Sequence, residues 1–219
     1  MELFTIGHSN HSIQDFIELL QKHDVTALAD VRSHPYSRYL PHFNRSLLKD
    51  ALVSTNIHYE FLGQELGARS ENPECYVDGK AVYEKIAATE LFGKGIKRVL
   101  KGIKSYKIAL MCAEKDPIFC HRAILVCQHL RNVPHLAINH IKSNGELESH
   151  HQLEDRLLGK HGLKQLALVP ASVQLSLFDE TPANNQNQNW LTREESLQEA
   201  YRLQGDEVAY VDKRGVEHE

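Results

Sequence analysis

A short apolar run that ends abruptly in reactive residues constrains the fold of this chain more than any other feature. Residues 108–111 read Ile-Ala-Leu-Met, which is typical of a buried strand, and polar side chains follow almost at once. Asp116 is then a suitable N-cap and Pro117 a suitable first helical residue, so the pattern predicts a helix over residues 117–131. Strand, short loop and helix form the half-unit of an α/β sheet, and such sheets bind ligands beyond the carboxyl ends of their strands.

The same pattern recurs along the first 160 residues. Further apolar runs predict strands over residues 2–6, 25–31, 58–62 and 135–141. Amphipathic segments predict helices near residues 16–20, 46–54, 81–102 and 149–158. This alternation predicts an α/β fold in which a mostly parallel sheet is flanked by helices, as in a Rossmann-like three-layer sandwich. We expect a flexible insertion over residues 71–79 and an interruption of the following helix near Gly93 and Gly95.

The character of the sequence changes near residue 160. This change predicts an α/β domain over residues 1–160 and an extended C-terminal tail over residues 161–219. Residues 181–190 form an Asn- and Gln-rich linker with little means of packing. Thr192 and Glu195 match a capping box and predict a short helix, and residues 208–211 are predicted to form a last strand.

Charge and hydropathy exclude several classes of protein. A formal net charge of −4 does not suit binding to duplex DNA through a basic surface, so any contact with nucleic acid must be local or come through a partner. The chain has no apolar stretch of the ~18 residues that a membrane span needs, and no signal-peptide pattern. Four irregularly spaced cysteines argue against a disulfide scaffold. We expect a cytoplasmic protein with no membrane contact.

Polar side chains follow several predicted strands, so they should meet at one edge of the sheet. Arginines beside carboxylates suit an anionic ligand, and a carboxylate beside a histidine suits acid–base chemistry. The candidate catalytic residues are Glu114, His121, Asp30 and Cys120. The candidate substrate- or anion-binding residues are His8, Ser9, Arg32, Arg38 and Arg122. The alternative is that the pairs Asp30–Arg32 and Glu114–Arg122 are structural ion pairs.

The cysteines allow several interpretations. Cys120, near the start of the predicted helix, is a candidate nucleophile with a lowered pKa, or one half of a redox pair with Cys112. Free cysteines are also among the most buried residues, so Cys120 is equally a candidate core residue. The spacing Cys112-x7-Cys120-His121 matches no tight pair of structural zinc ligands, and a zinc site would need a further ligand such as His8. We therefore predict no metal site, and the sequence leaves the identity of any cofactor open.

A pentapeptide in the tail resembles the bacterial sliding-clamp-binding motif, Gln-Leu-x-Leu-Phe. The matching residues are Gln174, Leu175, Leu177 and Phe178. Such peptides insert aliphatic and aromatic anchors into an apolar pocket, while the glutamine sets the register. The resemblance implies the sliding clamp as a partner, and the alternative is a tail segment that packs back on its own domain.

Four ordered motifs give the chain a likeness to a known family. They are Thr5-Ile-Gly-His8-Ser9, Asp30-Val-Arg32-x2-Pro35-x2-Ser37-Arg38, Leu62-Gly63-x2-Leu66-Gly67 and Met111-Cys112-Ala-Glu114-x2-Pro117-x2-Cys120-His121-Arg122. Together they resemble the domain-of-unknown-function 488 (DUF488) family over residues 3–145, and Ala209-Tyr210 is similar to the tail of its longer members. The resemblance implies a compact α/β domain but no established reaction.

The sequence leads to three hypotheses of function. The first is an enzyme that acts on nucleotides or DNA, by hydrolysis at a base or a phosphate, and is linked to DNA repair or replication through the sliding clamp. The second is a non-catalytic module that binds nucleotides or nucleic acid. The third is thiol or sulfur-transfer chemistry at Cys120 or Cys112.

Overall fold

Eight strands form one large sheet and one small hairpin in the computed structural model, which describes residues 1–163 and 192–212. The strands are β1 Glu2–Gly7, β2 Ala27–Asp30, β3 His58–Phe61, β4 Tyr76–Val77, β5 Lys80–Ala81, β6 Ile108–Cys112, β7 Ala137–Ile141 and β8 Leu147–Ser149. The large sheet has the order β3-β2-β6-β1-β7-β8. All its neighbours pair in parallel except β8, which pairs antiparallel with β7.

Helices cover both faces of this sheet. They are α1 Ile13–Lys22, α2 Arg45–Val53, α3 Gly63–Leu66, α4 Tyr83–Ala87, α5 Glu90–Gly102, α6 Gln128–Leu130, α7 His150–Lys160 and α8 Arg193–Val208. Alternate residues of β6 show the two layers: Ala109 and Met111 pack with α1 and α2, whereas Leu110 packs with α5, α7 and α8. The three-layer, mostly parallel α/β fold predicted from the sequence is confirmed.

The continuous helix predicted over residues 117–131 is wrong. Asp116 does cap the backbone N–H of Ile118, at 3.0 Å, but only a 3-10 turn, Pro117–Phe119, follows. Cys120 then adopts an extended conformation (φ −138°, ψ 136°) before a π-helical segment, Arg122–Cys127, that continues into α6. Cys120 therefore lies at a break between helical turns, a kind of irregularity that often marks functional sites.

The region between β3 and β6 also differs from the prediction. Residues 71–79 contain a 3-10 turn, Pro73–Cys75, and most of a hairpin whose Asp78-Gly79 turn has positive φ at both residues, as a type I′ turn requires. The helical sequence breaks before Thr89, which caps the N–H of Phe92, and both glycines lie inside α5. The interruption predicted near Gly93 and Gly95 is therefore wrong, because the cap decides where the helix restarts.

The described C-terminal residues, 192–212, pack on the α/β domain. The capping box at Thr192 and Glu195 is confirmed, and α8 buries Leu197 and Tyr201 against the core. The predicted strand over residues 208–211 amounts to an isolated bridge between Val211 and Lys80. The clamp-like segment 174–178 and the linker 181–190 lie outside the described residues.

None of the described helices is both long and apolar enough to cross a bilayer.

The two glycines of α5 should respond oppositely to alanine. An added Cβ at Gly93 meets no atom within 4 Å, so Gly93→Ala should raise the free energy of unfolding by about 0.5–1 kcal/mol. An added Cβ at Gly95 lies 2.7 Å from atoms of Glu65 and Leu66 in α3, so Gly95→Ala should lower it by roughly 1–3 kcal/mol. Urea unfolding of the two variants checks this, and shifts in the same direction would contradict the packing of α3 on α5.

Candidate active site at the carboxyl edge of the sheet

A cavity of about 380 Å³ opens where β1, β2 and β6 end side by side. Residues of the loops after β1, β2, β3 and β6 line it, and Val208 and Tyr210 border it from the end of α8. Parallel sheets bind ligands at this edge, and the volume is within the range of small-molecule sites.

Four reactive side chains converge at the base of this cavity. Cys112, Glu114, Cys120 and His121 each offer one sulfur, oxygen or nitrogen atom, and these atoms all lie within 4.8 Å of one another. The Sγ of Cys120 donates to Glu114 Oε2 at 3.0 Å, and His121 Nδ1 lies 3.5 Å from Cys112 Sγ and 4.0 Å from Cys120 Sγ. The thiols and the imidazole are buried, whereas Glu114 is exposed as a residue although its carboxyl group points inward to Cys120 and is partly buried.

The orientation of His121 is set by the backbone of the neighbouring strand loop. Its Nε2 lies 2.9 Å from the carbonyl oxygen of Val31. A carbonyl only accepts, so Nε2 carries a proton and donates, and Nδ1 faces the two sulfur atoms. This contact explains why Nδ1 lies close to both thiols at once.

The same contacts separate the proton affinities of the two thiols. Burial by itself raises the pKa of Cys120, but its hydrogen bond with Cys112 and the charges of Arg122 and His121 outweigh burial and lower that pKa well below the usual range. Burial, and then the interaction with Cys120, raises the pKa of Cys112 well above it. The cluster therefore favours Cys120 as the site of a thiolate, and in that form its sulfur accepts the proton of the Glu114 carboxyl group in place of donating to it.

The other two members of the cluster gain protons more readily. Burial lowers the pKa of His121, but the hydrogen bond with Cys120 and its negative charge outweigh burial and raise it. Burial of the carboxyl group, and next the charge of Cys120, raises the pKa of Glu114. Both shifts favour the protonated form of the group, which suits a role in proton transfer.

Arg122 supports the cluster from behind and does not line the cavity. Its fully buried guanidinium donates to the main-chain oxygens of Glu114 at 2.8 Å and Lys115 at 3.4 Å, and to Thr5 Oγ1 at 3.3 Å. Its backbone N–H also points to Cys120 Sγ, at 3.4 Å. The alternative of a Glu114–Arg122 ion pair is therefore wrong, since Arg122 contacts the backbone oxygen of Glu114. Its predicted role as an anion-binding residue stays a prediction.

Asp30 and Arg32 form a buried ion pair. Arg32 Nε and Nη2 donate to the two carboxylate oxygens at 2.9 and 2.7 Å, and Tyr59 donates to Asp30 Oδ2 at 2.8 Å. Arg32 also donates to the carbonyl of Phe43 and lines the cavity, whereas Asp30 lies beneath it. The geometry matches the structural alternative, and the catalytic role predicted for Asp30 stays a prediction.

The remaining candidate residues divide between the cavity and the surface. His8 lines the cavity and stacks on Phe43 with ring centroids 4.3 Å apart, and burial followed by the charge of Arg32 lowers its pKa to about 4. Ser9 and Arg38 do not line the cavity, and Arg38 is exposed on the loop after β2. The roles predicted for these residues stay predictions.

The site candidates did not include Arg69 and Tyr210, which both line the cavity. Arg69 follows β3 and lies with its guanidinium carbon 4.3 Å from the centre of the Tyr210 ring, and both residues line the cavity. The sequence signal for Arg69 is its position in the loop region after β3, at the same edge of the sheet as the other loops. For Tyr210 the only signal was the family resemblance of the chain's tail.

Glycines of the motifs allow these loops to approach one another. A Cβ at Gly7 would lie 1.9 Å from the carbonyl oxygen of Glu114, and one at Gly63 would lie 2.0 Å from that of Arg32. Backbone contacts of this kind cannot tolerate a side chain. The glycines therefore hold the Glu114 loop against β1 and the Arg32 loop against α3.

A hydrogen-bonded chain leads from the cluster to α8. Its direction follows from its ends, because Arg122 only donates and the carboxylate of Glu154 only accepts. Arg122 donates to Thr5, so Thr5 donates to His140 Nδ1 (2.8 Å), and His140 Nε2 donates to His150 Nδ1 (3.0 Å). His150 Nε2 then donates to Tyr201 (2.9 Å), and Tyr201 donates to Glu154 (3.3 Å). This direction holds with both histidines neutral, the state that their lowered pKa values favour.

Together these features define an α/β protein with a thiol, imidazole and carboxylate site at the carboxyl edge of a parallel sheet. The family model described as domain of unknown function DUF488 matches residues 12–128, more than half of the chain. The chain therefore belongs to the DUF488 family, as the motifs predicted. The match includes the four-residue cluster, whereas β1, His8 and α8 lie outside it. No curated protein and no solved structure matches the chain.

The buried histidines should make stability depend on pH. Burial is the largest cause in both cases: it lowers the pKa of His150 to about 4 and that of His140 well below its usual value. The unfolded chain takes up these protons below about pH 6.5 while the folded protein does not, so stability is full above that pH and falls as the pH decreases. Each histidine should contribute up to roughly 1.4 kcal/mol per pH unit.

Urea unfolding between about pH 7.5 and pH 5 measures this dependence. His150→Gln should flatten the slope. His151→Gln, which changes the exposed neighbouring histidine of the same helix, should leave the slope unchanged. Equal slopes for the wild type and both variants would show that the chain of neutral histidines is not the cause.

Proposed function

We propose that this DUF488 protein is an enzyme that acts on a phosphate-bearing nucleotide or on DNA, with its reactive centre at Cys112, Glu114, Cys120 and His121. One observation carries the proposal: a single cavity brings two arginines together with reactive members of this cluster. Cationic groups beside acid–base groups suit a reaction in which an anionic substrate is held while a proton is transferred.

The walls of the cavity favour a nucleotide over a simple anion. Arg69 is exposed and lies over the ring of Tyr210, an arrangement that leaves guanidinium N–H groups for phosphate oxygens. The ring of Tyr36 also lines the cavity and is 72% exposed, so it offers an aromatic face to a base. Arg32 adds positive charge, although its paired Asp30 offsets much of it.

The cluster suits hydrolysis. Glu114 faces the cavity, and its raised pKa suits a general base that takes a proton from water and returns it to a leaving group. His121 is the second proton-transfer group within reach of the same space. Hydrolysis at a base or at a phosphate is therefore the reaction class that we assign to the proposal.

Thiol chemistry at Cys120 is the second candidate function. It is favoured by the lowered pKa of Cys120 and by the backbone N–H of Arg122, which stabilises a thiolate. However, Cys120 is only 1% exposed and does not line the cavity, so it is less accessible to a substrate than Glu114.

We also propose that residues 174–178 bind the bacterial sliding clamp. The support is the sequence itself, since Gln174, Leu175, Leu177 and Phe178 match the motif. Binding there would bring the cavity close to DNA without the basic surface that the net charge of −4 argues against.

The ligand class is tested by calorimetric titration with nucleoside mono-, di- and triphosphates and a short single-stranded oligonucleotide. Arg69→Ala should weaken binding of the best ligand roughly tenfold or more, because a charge-assisted hydrogen bond is lost. Arg202→Ala is the matched control, since it removes an exposed arginine of α8 that does not line the cavity. Equal losses in both variants would point to general electrostatics and not to this cavity.

Turnover of the bound ligand separates an enzyme from a binding module. Glu114→Gln should abolish product formation while ligand affinity and thermal stability change little. Saturable binding by the wild type without any product would favour the non-catalytic module. Full turnover in Glu114→Gln together with none in Cys120→Ala would favour thiol chemistry.

Clamp binding is tested with the full chain and a purified bacterial sliding clamp. The wild type should bind, and a variant with Leu177→Ala and Phe178→Ala should not, because both anchors of the peptide are removed. The variant should keep the cavity's ligand affinity. No binding by the wild type would remove the clamp from the proposal and leave the enzyme part intact.

A further inference from the structure

The four side chains at the base of the cavity are all metal-ligand types. Cys112 and Cys120 offer sulfur, His121 offers Nδ1 and Glu114 offers a carboxylate oxygen, all within 4.8 Å of one another. Within residues 1–163 and 192–212, this is the only group of three or more such side chains gathered closely enough to share an ion.

The spacing between these atoms fits zinc. Tetrahedral zinc with bonds of ~2.3 Å to sulfur and ~2.0 Å to nitrogen separates a sulfur ligand from a nitrogen ligand by about 3.6 Å. The Nδ1 of His121 lies 3.5 Å from Cys112 Sγ and 4.0 Å from Cys120 Sγ. A metal ion would therefore enter with shifts of a few tenths of an ångström.

The contacts around the ligands are those that a metal site requires. A metal-bound histidine usually donates its other ring N–H to a carbonyl or carboxylate, as His121 Nε2 does to Val31. The N–H of Arg122 points to Cys120 Sγ, the kind of hydrogen bond that stabilises a thiolate ligand. The break in the helix at Cys120 places its sulfur beside the imidazole of the next residue, which a continuous helix would not do.

The charge of the buried Arg122 beside the cluster also favours a metal–thiolate site. Arg122 is fully buried, and none of the ion pairs in the described parts of the chain includes it. A buried cation needs compensating negative charge nearby. Two thiolates neutralise Zn²⁺, so the complex with Glu114 keeps one negative charge, which the guanidinium of Arg122 offsets.

We infer that Cys112, Cys120 and His121 bind a zinc ion, with Glu114 beside the fourth, cavity-facing position. Three protein ligands and one open position are the arrangement of catalytic zinc sites. The role of the ion rests on the proposed function, whereas its existence rests on the ligand geometry alone. When bound, zinc would acidify a water molecule, and Glu114 is placed to accept its proton.

The test is made on the full chain, purified without chelators. Elemental analysis should find one zinc ion per chain. After removal of zinc, the protein should bind cobalt(II) with the visible absorption of a tetrahedral site and a near-ultraviolet cobalt–thiolate band. These measurements use the wild type, so they remain decisive even if a ligand variant fails to fold.

Matched variants then assign the ligands. Cys112→Ser and Cys120→Ala should each lose most of the metal, whereas Cys75→Ala, which removes a buried cysteine outside the cluster, should keep it. Glu114→Gln should retain zinc, because three ligands remain. A folded wild type that takes up no zinc and no cobalt, or a Cys112–Cys120 disulfide found in the isolated protein, would overturn the inference.

The outcomes separate the metal site from the proposed function. Stoichiometric zinc without turnover of any nucleotide leaves the site standing and removes the enzyme. Turnover that survives complete removal of metal leaves the enzyme standing and removes the catalytic role of the ion, while the metal content of the wild type decides whether the site exists. Retention of full metal content by Cys120→Ala would overturn the ligand set.

Discussion

Both the site and the surrounding fold depend on the hydrogen bonds that the buried guanidinium of Arg122 donates. It ties the loop that carries Glu114 to the end of β1 through Thr5, and its own backbone supports the sulfur of Cys120. It is also the donor at the start of the hydrogen-bonded chain that ends at Glu154. Since the group is always charged and fully buried, its neighbours must satisfy it, and this requirement orders several elements at once.

The strand order explains why one edge of the sheet collects the chemistry. β6 lies between β2 and β1, so the loop with Cys112 and Glu114 is flanked by the loops that carry Arg32 and His8. Close backbone approaches at Gly7 and Gly63 keep these loops together. The C-terminal end of α8 and the residues after it, which are far from these loops in the sequence, border the same cavity. Tyr210 therefore lies next to Arg69.

Local patterns in the sequence predicted much of this structure and failed where contacts between distant segments decide. The buried strands, the caps at Thr192 and Asp116, and the family could be predicted, since each depends on neighbouring residues or on ordered motifs. The helix over residues 117–131 was predicted as continuous because its apolar spacing is helical. In the structure the helix is interrupted where Cys120 and Arg122 make polar contacts with Glu114. The spacing of apolar residues does not reveal these contacts.

By itself, the sequence determined the α/β architecture and the place where reactive residues follow β6, because periodicity and caps act over a few residues. Only the tertiary structure decided how those residues meet. It placed the sulfur of Cys120 beside Glu114 and turned His121 toward both thiols. It also put Arg122 behind the site and added Arg69, because orientation depends on packing between segments that lie far apart in the chain.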